Sequence, residues 1–302
     1  MVDKKIKGIL PALITPFTKT GDIDEKKLRD FLQFLIPQVH GIYPCGSYGS
    51  GPLMTVSQRK RVAEVIVEEV AEKIPIVLHV GTADTKTTIE LAKHAESLRI
   101  SAIACLTPYY YLHNFNTIAE HFRRVIDSVN IPVFVYHNPK YTNFLSFTPS
   151  QLKRLSDMGL KGLKDSSANI TFFYDCIASI KKPDFTFLAG SQTVLLPALL
   201  GGGDGCVSGL SNLFPRLVNK IYEYVMNKNF KEALILQRKV NILRKITGEG
   251  IPVPFYHAAL KLRGIDIGIP KGPHLPFTDE EEERIRKPIL EAIELEERFS
   301  QE

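Results

Sequence analysis

The chain carries eight short apolar runs, each bounded by turn residues. They are Gly8–Ile14, Gly41–Pro44, Pro75–Val80, Ala102–Leu106, Pro132–His137, Leu160–Lys164, Phe185–Ala189 and Gly205–Gly209. Amphipathic segments with helix-start residues separate them, as at Asp24, Thr55 and Thr148. Alternation of strands with helices implies parallel strands, and eight such units are the number in a (β/α)8 TIM barrel. We therefore predict an α/β barrel; a doubly wound sheet is the alternative, but it would not need eight strands.

The strand pattern stops after Met226. Three helical stretches follow, Asn229–Ile246, Ile251–Arg263 and Glu280–Phe299, and the Gly/Pro-rich Gly264–Pro276 segment between the last two reads as an ordered connector. We therefore expect a catalytic barrel over residues 1–226 and a C-terminal helical extension over residues 227–302.

Composition narrows the class of protein. The chain has 302 residues, 44% of them hydrophobic, so it can bury a substantial core. Its formal charge of +5 is modest and its basic residues are interspersed with acidic ones, which argues against nucleic acid as a partner. We see neither a signal-peptide core nor an apolar run long enough to span a membrane, and we expect a cytoplasmic location. The four cysteines show no metal or redox spacing and read as buried free thiols.

The most informative single residue is Lys164, which stands at the end of a short apolar strand. An ammonium at the mouth of an apolar barrel is partly desolvated, which lowers its pKa and leaves free amine to form a Schiff base with a carbonyl. Tyr136 ends the preceding strand and could carry the protons that imine formation needs. Strand alternation gives both residues the inward parity of Phe134 and Gly162, so we expect them side by side.

Other strand ends are polar, as active sites at the C-terminal face of such barrels require. The turn at Cys45–Pro52 exposes backbone N–H groups and a serine hydroxyl that could hold a carboxylate. Later strands are followed by Thr107–Tyr111, Gly190–Thr193 and Ser208–Ser211. The Gly201–Gly205 run precedes a strand and so reads as a tight turn, not as a dinucleotide loop.

Two other classes of protein remain open from the residues alone. A metal-dependent barrel enzyme could recruit His79, His137 and Asp165, although no metal-ligand spacing supports this. A non-catalytic barrel is the second, and in it Lys164 would be a lysine that snorkels to solvent.

Four motifs together resemble the pyruvate-dependent class I aldolases, the family of N-acetylneuraminate lyase, dihydrodipicolinate synthase and 2-keto-3-deoxygluconate aldolase. Gly46-Ser47-Tyr48-Gly49 occupies the place of the pyruvate-carboxylate loop, Thr107-Pro108-Tyr109-Tyr110 matches a T-P-Y-Y segment, and Gly162-Leu163-Lys164-Asp165 matches the Schiff-base motif. Tyr136 falls on the proton-relay tyrosine. The likeness covers nearly the whole chain, with the motifs in the right order.

The resemblance implies a role for each matching residue. Lys164 forms the imine with pyruvate or a longer 2-keto acid, Tyr136 shuttles protons with the help of Ser47, and Tyr110 completes the relay from a neighbouring subunit. The substrate-binding residues that it implies are Gly46, Tyr48, Tyr141, Ser166, Gly190, Ser191, Gln192, Val207 and Ser208. It implies no metal and no cofactor, pyruvate and an aldehyde as small-molecule partners, and a homo-oligomer built as a dimer of dimers.

Departures from the family pattern bear on the substrate. Dihydrodipicolinate synthases carry an arginine after the relay tyrosine that holds the carboxylate of the aldehyde, whereas this chain has Tyr141 there. Tyr48 replaces a small hydroxyl residue and should narrow the pocket, and Ser50-Gly51-Pro52 resembles the form seen in archaeal sugar-acid aldolases. We therefore favour cleavage of a 2-keto-3-deoxy sugar acid such as 2-keto-3-deoxygluconate; N-acetylneuraminate lyase and dihydrodipicolinate synthase activities are the alternatives.

Overall fold

The computed structural model describes residues 5–247 and 253–299. Seven strands form one parallel sheet in the order β1-β7-β6-β5-β4-β3-β2. The strands are β1 (Gly8–Pro11), β2 (Val77–His79), β3 (Ala102–Leu106), β4 (Val133–His137), β5 (Gly162–Asp165), β6 (Thr186–Ala189) and β7 (Gly205–Ser208).

The predicted strand at Gly41–Pro44 forms only two isolated parallel bridges, Ala12 with Tyr43 and Ile42 with Ile76. Tyr43 N donates to Pro11 O at 3.0 Å, and Val77 N donates to Ile42 O at 2.9 Å. Pro44 has no N–H to extend this ladder, which keeps the segment short. The bridges nevertheless join β1 to β2, so the sheet closes and the predicted TIM-barrel fold is confirmed.

Helices follow the strands around the outside of the barrel. They are α1 (Glu25–Leu35), α2 (Val56–Val70), α3 (Thr85–Ser97), α4 (Phe115–Ile126), α5 (Pro149–Asp157), α6 (Ile170–Ser179), α7 (Leu195–Leu200), α8 (Pro215–Met226), α9 (Phe230–Ile246), α10 (Val253–Leu262) and α11 (Asp279–Arg298). The predicted caps are present: Asp24 accepts from Lys27 N, and Thr55 and Thr148 each form a capping box. Within the described ranges no helix is long and apolar enough to cross a membrane.

The last three helices pack against the barrel. Helix α9 contacts α8 and the turn Gln192–Val194, and α10 packs on α11. The connector at Gly264–Pro276 returns to the first strand loop, where Ile269 N donates to Phe17 O at 3.0 Å. The predicted helix start at Ile251 lies outside the described residues.

Two apolar layers follow from strand alternation. A small cluster fills the barrel interior and includes Leu10, Tyr43, Phe134, Leu188 and Val207. A much larger cluster lies between the sheet and the helices. Along each strand, the next inward-facing residue after the small cluster lies nearer the C-terminal end. These residues therefore line the C-terminal mouth of the barrel. All four cysteines are free and buried.

Candidate active site

Lys164 and Tyr136 are direct neighbours across β5 and β4, as the strand alternation predicts. Both side chains are buried. The Lys164 Nζ lies 3.8 Å from the ring centroid of Tyr136 and 3.8 Å from that of Tyr43. The amine is therefore in contact with two phenol rings near the C-terminal end of β5.

This environment lowers the pKa of Lys164. Burial is the main cause because it disfavours the charged ammonium, and the nearby Tyr136 opposes the shift only in part. A lowered pKa leaves more of the lysine as free amine near neutral pH. Free amine is the form that attacks a carbonyl carbon.

Tyr136 has a phenol adapted to release a proton. Asn138 Nδ2 donates to Tyr136 Oη at 2.8 Å. Burial by itself raises the pKa of Tyr136, but the Lys164 charge and hydrogen bonds with Ser47, Asn138 and Ser166 outweigh it and lower the pKa. The predicted residues Ser47 and Ser166 thus meet at this phenol.

The turn after the Gly41–Pro44 segment has an unusual backbone. Cys45 and Ser50 have positive φ values of 58° and 57°, and Gly51 N donates to Gly46 O at 3.0 Å. A Cβ atom on Gly51 would lie 1.8 Å from Cys45 O, so only glycine fits there. The backbone N–H groups of Ser47 and Tyr48 have no hydrogen-bond partner within the described chain. They are free to bind an anion.

His79 fastens this turn to the neighbouring strands. Leu106 N donates to His79 Nε2 at 3.2 Å, which leaves Nδ1 as the donor to Cys45 O at 3.2 Å. Burial, with the charges of Arg59 and Lys164, holds the pKa of His79 well below its usual range. Arg59 itself is buried and donates to His79 O at 2.6 Å. His79 therefore acts as a neutral bridge.

The residues of the metal-enzyme alternative do not converge. His137 and Asp165 have outward parity, and His137 Nδ1 lies 2.7 Å from Asp165 Oδ1 in the layer between sheet and helices. His79 has inward parity and lies on the other side of the sheet. Across residues 5–247 and 253–299, no three His, Cys, Asp or Glu side chains form a group that could hold a metal ion.

Two aromatic residues and two glycines shape the rest of the mouth. Tyr48 packs edge-on against Tyr256, with ring centroids 5.4 Å apart. A Cβ atom on Gly209 would lie 2.5 Å from the ring of Tyr48. Gly190 packs against Ser166 in the same way, since a Cβ atom on Gly190 would lie 2.0 Å from Ser166 Oγ. The side chain of Val207 belongs to the small apolar cluster in the barrel interior, beneath this mouth.

Tyr141 is half-buried beside this mouth. Burial raises its pKa to about 12, with smaller contributions from Tyr136 and Tyr48. The phenol therefore stays protonated at neutral pH and can donate a hydrogen bond to a ligand.

Three predicted residues, Ser191, Gln192 and Ser208, form hydrogen bonds with other protein side chains. Ser208 Oγ donates to Gln192 Oε1 at 3.2 Å, and both residues are buried. Ser208 shares its parity with Cys206, whose side chain lies in the outer apolar cluster. Ser191 Oγ bonds Thr193 Oγ1 at 2.8 Å.

Tyr110 lies away from Lys164 of its own subunit. Its side chain is 80% exposed and its φ is +81°, which is a strained value for a tyrosine. Asn143 Nδ2 donates to Tyr110 O at 3.0 Å and holds this conformation.

Sequence reasoning missed two residues of the site. Tyr43 occupies an inward position of the Gly41–Pro44 segment, and Asn138 follows Tyr136 by two positions. The inward parity of Tyr43 was readable from the sequence and could have found it, whereas Asn138 follows the end of β4 and its partner could not be read from the sequence.

Comparisons with known proteins agree on one family. A model of the dihydrodipicolinate synthetase family matches residues 5–292. A 4-hydroxy-tetrahydrodipicolinate synthase from Methanothrix thermoacetophila is 30% identical over 96% of this chain and 98% of its own length. An uncharacterized DapA-like lyase from Halobacterium salinarum is 34% identical, over 91% of this chain and 90% of the relative.

Solved structures give the same result. YagE, a prophage protein of the dihydrodipicolinic acid synthase family from E. coli K12 solved with pyruvate, superposes with a TM-score of 0.89 at 25% identity and covers 94% of this chain and 98% of its own. N-acetylneuraminate lyase from Mycoplasma synoviae has a TM-score of 0.86 at 26% identity, covering 95% and 98%. The chain therefore belongs to the dihydrodipicolinate synthase family of pyruvate-dependent class I aldolases, which makes it a carbon–carbon lyase.

Proposed function

We propose that this enzyme cleaves 2-keto-3-deoxygluconate, or a closely related 2-keto-3-deoxy sugar acid, through an imine on Lys164. The observation that carries the proposal is the buried Lys164 amine, which contacts the rings of Tyr43 and Tyr136 near the C-terminal end of β5. The amine attacks C2 of the keto acid and water leaves, giving an iminium ion.

Cleavage of the C3–C4 bond then follows, because the iminium can accept its electron pair. A base takes the proton of the C4 hydroxyl, the C3–C4 bond breaks, and its electron pair moves into the iminium to give an enamine while the aldehyde departs. Tyr136 is the base within reach, since its pKa is lowered and Ser47 and Asn138 hydrogen-bond to it. The enamine is protonated at C3, and water releases pyruvate from Lys164.

The free N–H groups of Ser47 and Tyr48 suit the carboxylate of the keto acid. Backbone amides in a turn of positive φ form an anion-binding concavity. They stand at the same end of the barrel as Lys164, because His79 and the Gly46–Gly51 bond fix the turn there. We assign the carboxylate to this turn.

Residues around the other half of the pocket support a hydroxylated tail. Tyr141 stands where an arginine would hold a second carboxylate, and Tyr48 narrows the mouth. Tyr141, Ser166 and the Gly190–Ser191 backbone offer hydrogen bonds to sugar hydroxyls. Tyr110 completes the proton relay from a partner subunit in a dimer of dimers, and we expect the enzyme in the cytoplasm.

One observation favours a second candidate, condensation of pyruvate with aspartate semialdehyde. Burial raises the pKa of Tyr48 and of Tyr141, and the charge of Arg244 opposes both shifts. Arg244 of α9 is thus within electrostatic reach of the pocket mouth, where it could attract a second carboxylate. Several relatives also carry the synthase name.

Borohydride trapping and a substrate panel test these assignments together. Reduction in the presence of pyruvate should leave a mass adduct on the peptide that contains Lys164, and Lys164→Ala should abolish it. Steady-state cleavage of 2-keto-3-deoxygluconate should exceed condensation with aspartate semialdehyde by tenfold or more in kcat/KM, about 1.4 kcal/mol in transition-state terms.

The outcomes separate the chemistry from the substrate. An adduct on Lys161, which has outward parity and an ion pair with Asp184, would refute the catalytic assignment. A preference for aspartate semialdehyde or for N-acetylmannosamine would replace the sugar-acid proposal and leave the Schiff base intact. Lys161→Ala is the matched control and should retain the adduct.

A further inference from the structure

A buried hydrogen-bond network joins α9 of the C-terminal extension to the loop after β6. Gln237 Nε2 donates to Gln192 O at 2.9 Å, and Gln237 Oε1 accepts from Leu196 N at 2.9 Å. One helical turn further along, Asn241 Oδ1 accepts from Gln237 Nε2 at 2.8 Å, and Asn241 Nδ2 donates to Thr193 O at 3.3 Å. The amide of Gln237 thus donates to the loop after β6 and accepts from the first turn of α7, which follows that loop directly.

The other side of this loop faces the pocket. Gly190 N donates to Asp165 O at 2.6 Å, and Ser166 Oγ donates to Gly190 O at 3.4 Å. Ser166 in turn lies close enough to Tyr136 to help lower the pKa of its phenol. The loop is therefore fixed to β5 at Gly190 and to α9 two residues later.

The loop depends on this outside support. It is a short 3-10 turn over Gln192–Val194, and such turns have poor internal hydrogen bonds. Without Gln237, the N–H of Leu196 would be left unpaired in a buried layer, which carries a free-energy cost, and the carbonyl of Gln192 would keep only its bond from Leu195 N. Relaxation of the loop would relieve that cost, and it would move the pocket wall at Gly190 and Ser191.

We propose that Gln237 is a positioning residue for the aldehyde half of the substrate, acting through the Gly190–Gln192 wall from outside the barrel. This rests on the proposed Schiff-base function. The residues that hold Lys164 and the carboxylate turn are Tyr43, Tyr136 and His79, whereas the side chain of Gln237 hydrogen-bonds to Gln192, Leu196 and Asn241. Its loss should therefore spare the imine with pyruvate and impair the orientation of the aldehyde, where a shift of about 1 Å can cost about 100-fold in rate.

Two variants and one matched control test the proposal. Gln237→Leu removes the hydrogen bonds to Gln192 O and to Leu196 N together with the one to Asn241, whereas Gln237→Glu keeps the acceptor for Leu196 N and loses the donor, which separates the two contacts. Arg238→Ala changes an exposed residue of the same helix. Each protein is assayed for the borohydride adduct with pyruvate, for aldehyde KM in condensation, and for hydrogen exchange in the 190–197 segment.

The aldehyde is whichever of D-glyceraldehyde, N-acetylmannosamine and aspartate semialdehyde the wild-type enzyme accepts best, so the test does not depend on the sugar-acid assignment. For Gln237→Leu we expect the rate of adduct formation within about twofold of wild type, aldehyde KM raised about tenfold or more, and faster exchange in the segment. Arg238→Ala should match wild type in all three.

Three results would overturn the proposal. Unchanged exchange would mean that Gln237 does not hold the loop, and unchanged aldehyde KM would mean that the loop does not position the aldehyde. Equal losses of adduct and of condensation would indicate general damage to the barrel. A wild-type enzyme that forms no adduct would instead refute the Schiff-base function, a separate result.

Discussion

Tyr43 is the residue that most distinguishes the surroundings of the reactive amine. Its ring lies 3.8 Å from Lys164 Nζ and edge-on to the ring of Tyr136, and it is fully buried. An aromatic face attracts a cation, and the attraction is worth about 2 kcal/mol or more where water is excluded. The iminium formed on Lys164 carries the same positive charge, so Tyr43 should stabilise the ammonium and the iminium alike.

We predict that, at a pH above the pKa of Lys164, where the free amine is the reference state, Tyr43→Leu weakens the pyruvate imine by about tenfold or more, while Tyr43→Phe keeps most of its stability because the ring remains. The direction in which Tyr43→Leu shifts the pH dependence of imine formation also follows. Loss of the ring destabilises the ammonium, so the pKa of Lys164 falls further and imine formation begins to rise at a lower pH. Adduct yield against pyruvate concentration and pH measures both effects. Equal behaviour of the Leu and Phe variants would contradict a role for the ring.

At this scale the sequence is informative wherever a residue has a chemical identity and a strand position. Lys164 and Tyr136 could be found because a charge and a phenol end apolar strands of known parity. Asn138 and Gln237 could not, because their importance comes from partners that the sequence does not reveal. One bonds the Tyr136 hydroxyl, and the other bonds backbone groups on a loop more than forty positions away.

At the scale of elements, the apolar runs and caps predict most of the barrel. The strand bounds differ where backbone chemistry intervenes, as at Pro44, where the run yields two bridges in place of a strand. How the extension attaches was not readable, because its contacts are between distant parts of the chain. The division into a barrel over 1–226 and an extension over 227–302 stays a prediction, although α8 ends at Met226 and α9 begins at Phe230.

Glu296 is the clearest attachment of the extension. It lies fully buried on α11, and its Oε1 accepts from Arg216 N at 2.8 Å and from Leu217 N at 3.3 Å, in the first turn of α8. The cap residue of α8, Phe214, makes no side-chain cap. Glu296 also pairs with Arg263 of the connection after α10, at 2.5 Å. One carboxylate therefore supplies a helix cap and an ion pair across three parts of the chain.

We predict that Glu296→Ala lowers the free energy of unfolding by about 3–5 kcal/mol, because it leaves Arg263 without its buried counter-charge. Glu296→Gln should lose less, since an amide oxygen can still accept from α8. Urea unfolding at one fixed protein concentration measures the loss, and Glu297→Ala, an exposed neighbour, is the control. A Glu296→Ala protein as stable as wild type would show that this residue does not hold the extension.

At the scale of the whole molecule, we single out two groups of exposed apolar side chains among residues 5–247 and 253–299, here called patches. One consists of Tyr110, Tyr111, Leu112 and Phe144, and the other of Leu200, Met226, Phe230 and Leu234. The first follows β3 and β4, and the second lies by α7 to α9 next to β7, on the opposite side of the closed barrel. Two separate patches suit the proposed dimer of dimers, since each symmetric contact uses one patch of every subunit.

Tyr110 makes this assembly testable through activity. If Tyr110 serves the site of its partner, a dimer of one Tyr110→Phe subunit and one Lys164→Ala subunit contains one complete site. In that site, Lys164 comes from the first subunit and Tyr110 from the second. Such a heterodimer, isolated with two affinity tags, should show about half the wild-type rate, because one of two symmetric sites is whole.

The alternative gives a different value for the same protein. If Tyr110 acted within its own subunit, each site of the heterodimer would carry one defect, and its rate would not exceed half that of the Tyr110→Phe homodimer. Leu112→Glu adds an independent check, since a charge in the first patch should separate the dimer and lower activity without altering Lys164. Light scattering reports the mass of each protein. A monomeric Leu112→Glu enzyme with full activity would contradict the shared site.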